Sequence, residues 1–152
     1  MSIDDKIERR EKTMDIISKT VDASVDNLYE VLGFIEENLE AHNASMKDIN
    51  VISVAAEEMY ANIAMYAYQD SDNPKEATIE MEFVDDSVII TFIDSGMPFN
   101  PLAKEDPDVH AKAEDRGIGG LGIYMVKKSM NECKYEYKDS KNIFSMRKVI
   151  KQ

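Results

Sequence analysis

The stretch VIITFIDSGMPFNP, from Val88 to Pro101, places a continuous apolar run directly before a polar turn. A strand with one face in water alternates polar and apolar side chains, whereas residues 88–93 do not alternate. The run therefore predicts a central strand that is buried on both faces. Residues 79–83 do alternate, and Asp85-Asp86 separates the two runs, so the pair predicts a hairpin.

Helical spacing precedes this hairpin and follows it. Apolar residues recur at steps of three and four from Leu28 to Leu39, behind Ser24 as a candidate N-cap, and again from Ile49 to Ile63. The second helix is expected to run to about Tyr68. The other predicted elements are an edge strand, a late helix and a closing hairpin, at residues 13–21, at about 120–131, and at 134–138 with 143–150.

The element order β-α-α-β-β-α-β-β predicts an α/β fold, a two-layer α/β sandwich with helices on one face of a mixed sheet. A chain of 152 residues needs only one core. We expect residues 13–152 to form a single domain and residues 1–12 to form a flexible N-terminal segment.

Charge and composition limit the partners. The 30 acidic and 18 basic side chains give a formal net charge of -12, which opposes direct binding to nucleic acid or to an anionic membrane. The N-terminus lacks the apolar core of a signal peptide, and the single cysteine, Cys133, cannot form an intramolecular disulfide. The sequence therefore predicts a cytoplasmic protein that binds other proteins or small ligands.

A carboxylate and a glycine follow the central strand at once. Asp94 leaves the buried run and is well placed to accept a hydrogen bond at the floor of a pocket. Gly96 would let a planar ligand approach the backbone. The structural alternative for these residues is a polar turn that caps the strand.

Four glycines, at positions 117, 119, 120 and 122, stand just before a helix that runs on with no proline. Free backbone N–H groups and the helix dipole favour an anion such as phosphate at such a place. The spacing is neither that of a P-loop nor that of a Rossmann fingerprint. A flexible hinge remains an alternative interpretation.

Glu58 and Asn62 are four residues apart on the second helix and share one face, with Tyr66 one turn further on. A carboxylate can orient or deprotonate an attacking hydroxyl, and an amide oxygen can coordinate Mg²⁺ without adding charge. The alternative is a solvated helix face that carries one unfavourable Asn.

The order and spacing of these three motifs resemble the histidine-kinase-like (GHKL) ATPase superfamily, whose members enclose Mg-ATP under a lid. The stretches EEMYANIAMYAY, DSGMPFNP and RGIGGLGIYMVKKSMN, with the short length, are similar to the stand-alone anti-sigma-factor serine/threonine kinases of bacteria. The resemblance covers about residues 13–150. It implies the Bergerat ATP-binding fold, with ATP and Mg²⁺ as cofactors.

The resemblance also implies roles for single residues. Glu58 would be the general base, Asn62 the Mg²⁺ ligand, and Asp94 the acceptor for the adenine amino group. Gly96 would admit the base, and Arg116 would stabilise charge on the terminal phosphates. Residues 103–115 would form the ATP lid. The other nucleotide contacts would come from Tyr66, Met97, Gly117, Ile118, Gly119, Gly120, Leu121 and Gly122.

The implied function is a protein serine/threonine kinase that phosphorylates an anti-anti-sigma factor, binds a sigma factor and forms a homodimer. Two alternatives keep the same pocket. In the first, ATP switches a protein-binding module that transfers little phosphate. In the second, the chain is a detached histidine-kinase catalytic domain, which needs a phosphoacceptor histidine; His42 and His110 are better interpreted as ordinary surface residues.

Overall fold

The computed structural model describes residues 2–5, 16–103 and 120–150. Within these ranges the chain forms five strands and three α-helices. Their bounds, in chain order, are β1 (Ile17–Asp22), α1 (Leu28–Ala41), α2 (Met46–Asn62), β2 (Glu76–Val84), β3 (Ser87–Asp94), α3 (Gly120–Ser129), β4 (Glu132–Lys138) and β5 (Lys141–Val149). Short 3₁₀ turns occupy Val25–Asn27 and Pro101–Ala103, and a π-helical turn at Ile63–Ala67 continues α2.

The strands form one sheet in the order β1-β2-β3-β5-β4, so the apolar run of residues 88–93 is central, as predicted. The sheet is antiparallel at all four described pairings rather than mixed. Two helices separate β1 from β2 and bring the chain back to the end where it left the sheet, which makes the return strand antiparallel. Strand β4 does run parallel to β3, but β5 lies between them.

The two-layer α/β sandwich with helices on one face is confirmed. The inward stripe of α1 is fully buried at Val31, Ile35 and Leu39, and α2 is buried from Ile49 to Ile63 at helical spacing. These side chains pack in one cluster with alternate residues of the central strands, such as Ile79, Ile90, Phe92 and Phe144. The helices therefore hold the end of β3 against the end of α2, where the predicted site residues lie.

Two serine side chains cap the turns that open the helices. The Oγ of Ser24 accepts a hydrogen bond from the Asp26 N–H at 3.1 Å and so caps the 3₁₀ turn that leads into α1, rather than α1 itself. The Oγ of Ser45 accepts one from the Asp48 N–H at 3.1 Å and caps α2 directly. The buried Tyr60 hydroxyl donates to the Ser24 carbonyl at 2.6 Å, which fixes α2 against the segment that follows β1.

The last hairpin turns earlier than the sequence suggested. Asp139 and Ser140 both have positive φ, 54° and 62°, so they form the two-residue turn, and β5 begins at Lys141 rather than at residue 143. Asn142 therefore belongs to the strand and pairs directly with Asp94 of β3.

Residues 2–5, the first that the structure describes, contact the side chains of Glu132 and Lys134 on β4. Ile3 is 2% exposed, its N–H donates to Glu132 Oε1 at 3.0 Å, and Asp4 pairs with Lys134. Residues 6–15 lie outside the described ranges, so the domain boundary at residue 13 stays a prediction. In the part of the chain that the structure describes, no helix has the length and apolar character needed to cross a membrane.

Candidate functional site

A cavity of about 500 Å³ opens at the carboxyl end of β3, between the sheet and the end of α2. Its volume lies within the range of small-ligand pockets. The described lining is mainly apolar, and the polar side chains in it are Asn62, Tyr66, Asp94, Tyr135 and Asn142. An apolar slot with a few convergent polar groups is suited to a planar ligand that needs orientation.

Asp94 lines the cavity and is only 6% exposed. Its Oδ1 accepts from the Gly96 N–H at 2.9 Å and from Asn142 Nδ2 at 3.0 Å. Burial raises the pKa of the Asp94 carboxyl, and the hydrogen bonds from Asn142 and Gly96 oppose that rise in pKa. The site thus presents a desolvated carboxylate with one oxygen already engaged.

Gly96 is required by close packing. A Cβ built on Gly96 would lie 2.2 Å from the carbonyl oxygen of Ala67, in the π-helical turn. The next residue, Met97, donates its N–H to that same carbonyl at 2.9 Å. The π-helical turn therefore has a local purpose: it presents the Ala67 carbonyl to the loop after β3. The predicted end of the helix at about Tyr68 is met by this widened turn, for which Tyr68 is the C-cap.

Two further residues fix the loop that follows β3. The hydroxyl of Tyr68 accepts from the Ser95 N–H at 2.8 Å and donates to the Glu76 carbonyl. Asn73 Nδ2 donates to the Ser95 carbonyl at 2.7 Å. The Asp-x-Gly turn is therefore held from α2, from β2 and from the segment between them.

The predicted Glu58 and Asn62 pair meets the first turn of α3. Asn62 Nδ2 lies 3.4 Å from Glu58 Oε1, and both side chains are half-buried. A Cβ on Gly122 would lie 1.9 Å from Glu58 Oε1, so α3 packs its backbone against this carboxylate. A carboxylate at a helix N-terminus is stabilised by the helix dipole. Asn62 lines the cavity, whereas Glu58 is set behind it.

The described residues could bind Mg²⁺ only if a bound nucleotide supplied further oxygen ligands. In residues 2–5, 16–103 and 120–150, no three His, Cys, Asp or Glu side chains converge to hold a metal ion. Asn62 directs Nδ2 to Glu58, so Oδ1 is the atom with which Asn62 could coordinate a cation. Because Mg²⁺ is often bound through one or two protein oxygens and substrate phosphates, this donor set is sufficient for a nucleotide complex.

The structure brings most of the predicted residues together. Asn62, Tyr66, Asp94 and Met97 line the cavity, and Gly96 packs against Ala67 of the same lining. Gly120, Leu121 and Gly122 form the first turn of α3. Residues 104–115 of the predicted lid lie outside the described ranges, as do four predicted site residues: Arg116, Gly117, Ile118 and Gly119.

Sequence reasoning missed three residues that line the cavity together with Asp94. The sequence pattern places Asn142 in a turn and gives no role to Tyr135 or Phe99, yet all three line the cavity. The two-residue hairpin signal at Asp139-Ser140 could have moved Asn142 into the strand. No local pattern marks Tyr68, because its partners lie on other elements.

Together these features define a class of site: an apolar slot that ends in a buried carboxylate, beside an Asn–Glu pair capped by a helix N-terminus. A family model described as the histidine kinase-like ATPase domain matches residues 21–148. The chain belongs to this family. No curated protein matches it significantly in sequence.

Solved structures show the same fold. The RsbU and RsbW domains of Rv1364c from Mycobacterium tuberculosis match with a TM-score of 0.65 at 18% identity, over 89% of this chain and 32% of that one. The SiaB-SiaC complex from Pseudomonas aeruginosa contains a chain that matches with a TM-score of 0.60 at 18% identity, over 99% of both chains. This chain thus spans 32% of the first structure and nearly the whole of the second.

Proposed function

We propose that the chain is an ATP-dependent protein serine/threonine kinase that acts as an anti-sigma regulatory factor. In this role it phosphorylates an anti-anti-sigma factor and binds a sigma factor. Membership of the histidine kinase-like ATPase family supports the ATP site, and the arrangement around Glu58 supports the transfer step. The protein works in the cytoplasm and as a homodimer.

The observation that carries the proposal is the contact between Glu58, Asn62 and the backbone of Gly122. It brings a carboxylate, a potential Mg²⁺ ligand and a helix N-terminus together beside a cavity that Asn62 and Asp94 line. A purely structural helix face would not need glycine against a half-buried carboxylate. The arrangement supports a role in phosphoryl transfer, because positioning and charge stabilisation supply most of the catalysis of that reaction.

Bound Mg-ATP supplies the transferable phosphoryl group. Of the chain's own residues, Asp94 accepts a hydrogen bond from the adenine amino group, and the apolar walls cover the faces of the base. Asn62 Oδ1 would hold the cation. Glu58 would orient the incoming Ser or Thr hydroxyl and accept its proton as the hydroxyl oxygen bonds the γ-phosphorus and the bond to the leaving ADP breaks. The free N–H groups of the α3 N-terminus face the phosphates.

The proposed partners rest on the two structural neighbours. One is described as RsbU and RsbW domains within one protein, and the other as a complex of SiaB with SiaC. In each case a relative of this fold stands beside a second protein or domain. A protein substrate is therefore a reasonable occupant of the surface near Glu58.

The test is phosphate transfer from γ-labelled Mg-ATP into proteins of the source cell's extract. Purified wild type is compared with Glu58→Gln, and with Glu57→Gln as the matched control, since Glu57 is exposed on the neighbouring face of α2. We expect one small protein to carry acid-stable label with wild type and Glu57→Gln. Loss of the proton acceptor should reduce labelling by Glu58→Gln at least about 100-fold.

The outcomes separate the alternatives. Acid-labile label would show histidine phosphorylation and would favour a detached histidine-kinase domain. No label from a protein that still binds ATP would exclude the kinase and leave a nucleotide-switched binding module. Equal labelling by all three proteins would remove Glu58 from the transfer step.

A further inference from the structure

Asn142 uses every polar atom of its side chain. Its Nδ2 donates to Asp94 Oδ1 at 3.0 Å and to the Met97 carbonyl at 2.9 Å. Its Oδ1 accepts from the Phe99 N–H at 3.0 Å and from the Tyr135 hydroxyl. The side chain is only 6% exposed, although it lines the cavity. It thus joins the Asp94 carboxylate to the loop of Met97 and Phe99, which also lines the cavity.

The partners of Oδ1 fix which way the amide faces. The Phe99 N–H can only donate and the Met97 carbonyl can only accept, so the amide oxygen faces Phe99 and Nδ2 must point at Met97 and Asp94. Asp94 Oδ1 receives this second donor in addition to the Gly96 N–H. Asp94 Oδ2 accepts no hydrogen bond from the described residues, and none of their fully buried polar side-chain atoms lacks a partner. Oδ2 is therefore the oxygen that is open to a ligand.

We infer that Asn142 determines which purine base the cavity accepts, by reserving Oδ1 of Asp94 and leaving Oδ2 as a single acceptor. The inference rests on the proposed function, because it assumes that the ligand is a nucleotide. Asn142 acts through Asp94 and is a positioning residue rather than a catalytic one.

The two purines differ in what they offer to such an acceptor. The adenine edge carries one amino donor beside a ring acceptor, so a single carboxylate oxygen satisfies it. The guanine edge carries a ring N–H and an amino group side by side, and a carboxylate binds that pair well only with both oxygens. Because Asn142 and Gly96 hold Oδ1, guanine would gain one bond and leave a second donor unpaired in a desolvated site.

The first test is the ratio of ATP to GTP affinity, measured by titration calorimetry with Mg²⁺ present on the full chain. Asn142→Leu keeps the side-chain size and removes the donor, which frees Asp94 to rotate and expose both oxygens. We expect wild type to prefer ATP by at least about 30-fold and Asn142→Leu to lower that ratio about tenfold. A loss of folded protein would affect both nucleotides equally. The ratio of ATP to GTP affinity would therefore not change if Asn142 only stabilised the fold.

The matched control is Ser145→Ala. Ser145 also lies on β5 and is 8% exposed, but its hydroxyl bonds Thr91 at 2.9 Å on the opposite face of the sheet. Its replacement removes a buried hydrogen bond without touching the cavity, so the ratio should stay at the wild-type value. A fall in the ratio for Ser145→Ala equal to that for Asn142→Leu would overturn the inference.

Asp94→Asn supplies a second test that does not depend on the folding of Asn142→Leu. Asn142 Nδ2 and the Gly96 N–H both require an acceptor, so the new amide must place its oxygen there and its NH₂ toward the ligand. A donor at that point faces the adenine amino group unfavourably and the guanine carbonyl favourably. The ATP-to-GTP ratio should fall at least about tenfold below that of wild type.

Failure of the inference differs from failure of the proposed function. A wild type that binds neither nucleotide would overturn both. A wild type that binds ATP, with unchanged ratios in Asn142→Leu and Asp94→Asn, would overturn only the role of Asn142 and leave the ATP site standing.

Discussion

The two ends of the site, one around Asp94 and the other around Glu58, differ in how firmly the protein's own bonds hold them. At the base end, named for the adenine base that Asp94 would bind, Asp94 and Asn142 are each 6% exposed and joined by hydrogen bonds to one another and to the loop. At the other end, Glu58 and Asn62 are half-buried and share one contact of 3.4 Å, while Tyr66 is 56% exposed. One end is set by a network, the other by packing against α3.

This difference indicates which end of the site contributes most to ligand affinity. A site whose polar groups are already oriented does not lose freedom when a ligand enters, so its interactions contribute fully to affinity. Groups that are held loosely must be ordered by the ligand or by a partner, which couples their geometry to what is bound. We expect changes at the base end to affect stability and affinity, and changes near Glu58 to affect transfer.

Gly96→Ala should break the base end and give the largest effect. The new Cβ would meet the Ala67 carbonyl oxygen and carbon, at 2.2 and 2.6 Å, and backbone atoms cannot rotate away. We expect the free energy of unfolding to fall by about 3 kcal/mol or more and ATP binding to be lost. Urea unfolding followed by circular dichroism measures the first, and calorimetry the second.

Gly33→Ala is the matched control for that measurement. Gly33 lies in α1, and a methyl group added there would have nothing within 4 Å, so alanine should raise the unfolding free energy by about 0.5 to 1 kcal/mol. If Gly96→Ala were as stable as wild type, the loop after β3 and the π-helical turn would have to separate easily. The base end would then be held no more firmly than the end around Glu58.

Gly122→Ala should sharpen the comparison, because here the clash is with the end of a side chain. The Glu58 carboxyl group, 1.9 Å from the new Cβ, can rotate away, so stability should change by less than about 1 kcal/mol. The displaced carboxylate should reduce phosphate transfer about 100-fold while ATP binding persists. Single-turnover transfer to the labelled substrate, beside ATP titration, tests this; equal losses in transfer and in stability would contradict it.

The sequence predicted the fold well because hydrophobic period is a local signal. The central strand, both long helices and the Ser24 cap each follow from neighbours within one turn or one strand. The sheet's antiparallel pairing did not follow, since it depends on β5 inserting between β3 and β4. Order along the chain does not specify order across a sheet.

The candidate site was predictable only where its chemistry lies in a compact motif. Asp94, Gly96, Asn62 and Glu58 stand in short patterns with recognisable spacing. Asn142 is 48 residues from Asp94, and its role arises from register between two strands. Likewise the π-helical turn that aims Ala67 at Met97 is set by tertiary contacts rather than by propensity.

The pH dependence of the unfolding free energy also reports on the base end, through Asp94. Of the changes predicted here, it should be the smallest. Burial raises the folded-state pKa of Asp94 above its ordinary value of 3.8, so below that value both states hold the proton and the carboxyl costs nothing. As pH rises, the unfolded chain loses the proton first, and wild-type stability falls until the raised pKa is passed.

Asp94→Asn carries no such proton and serves as the reference. Urea unfolding of both proteins without nucleotide, from about pH 3 to about pH 7, should show wild type losing stability relative to Asp94→Asn over that window and then holding constant. The loss should be small, because the hydrogen bonds from Asn142 and Gly96 oppose the cost of burial. A wild type that instead gains stability with rising pH would mean that those two bonds outweigh desolvation, and that the carboxylate is satisfied before any base arrives.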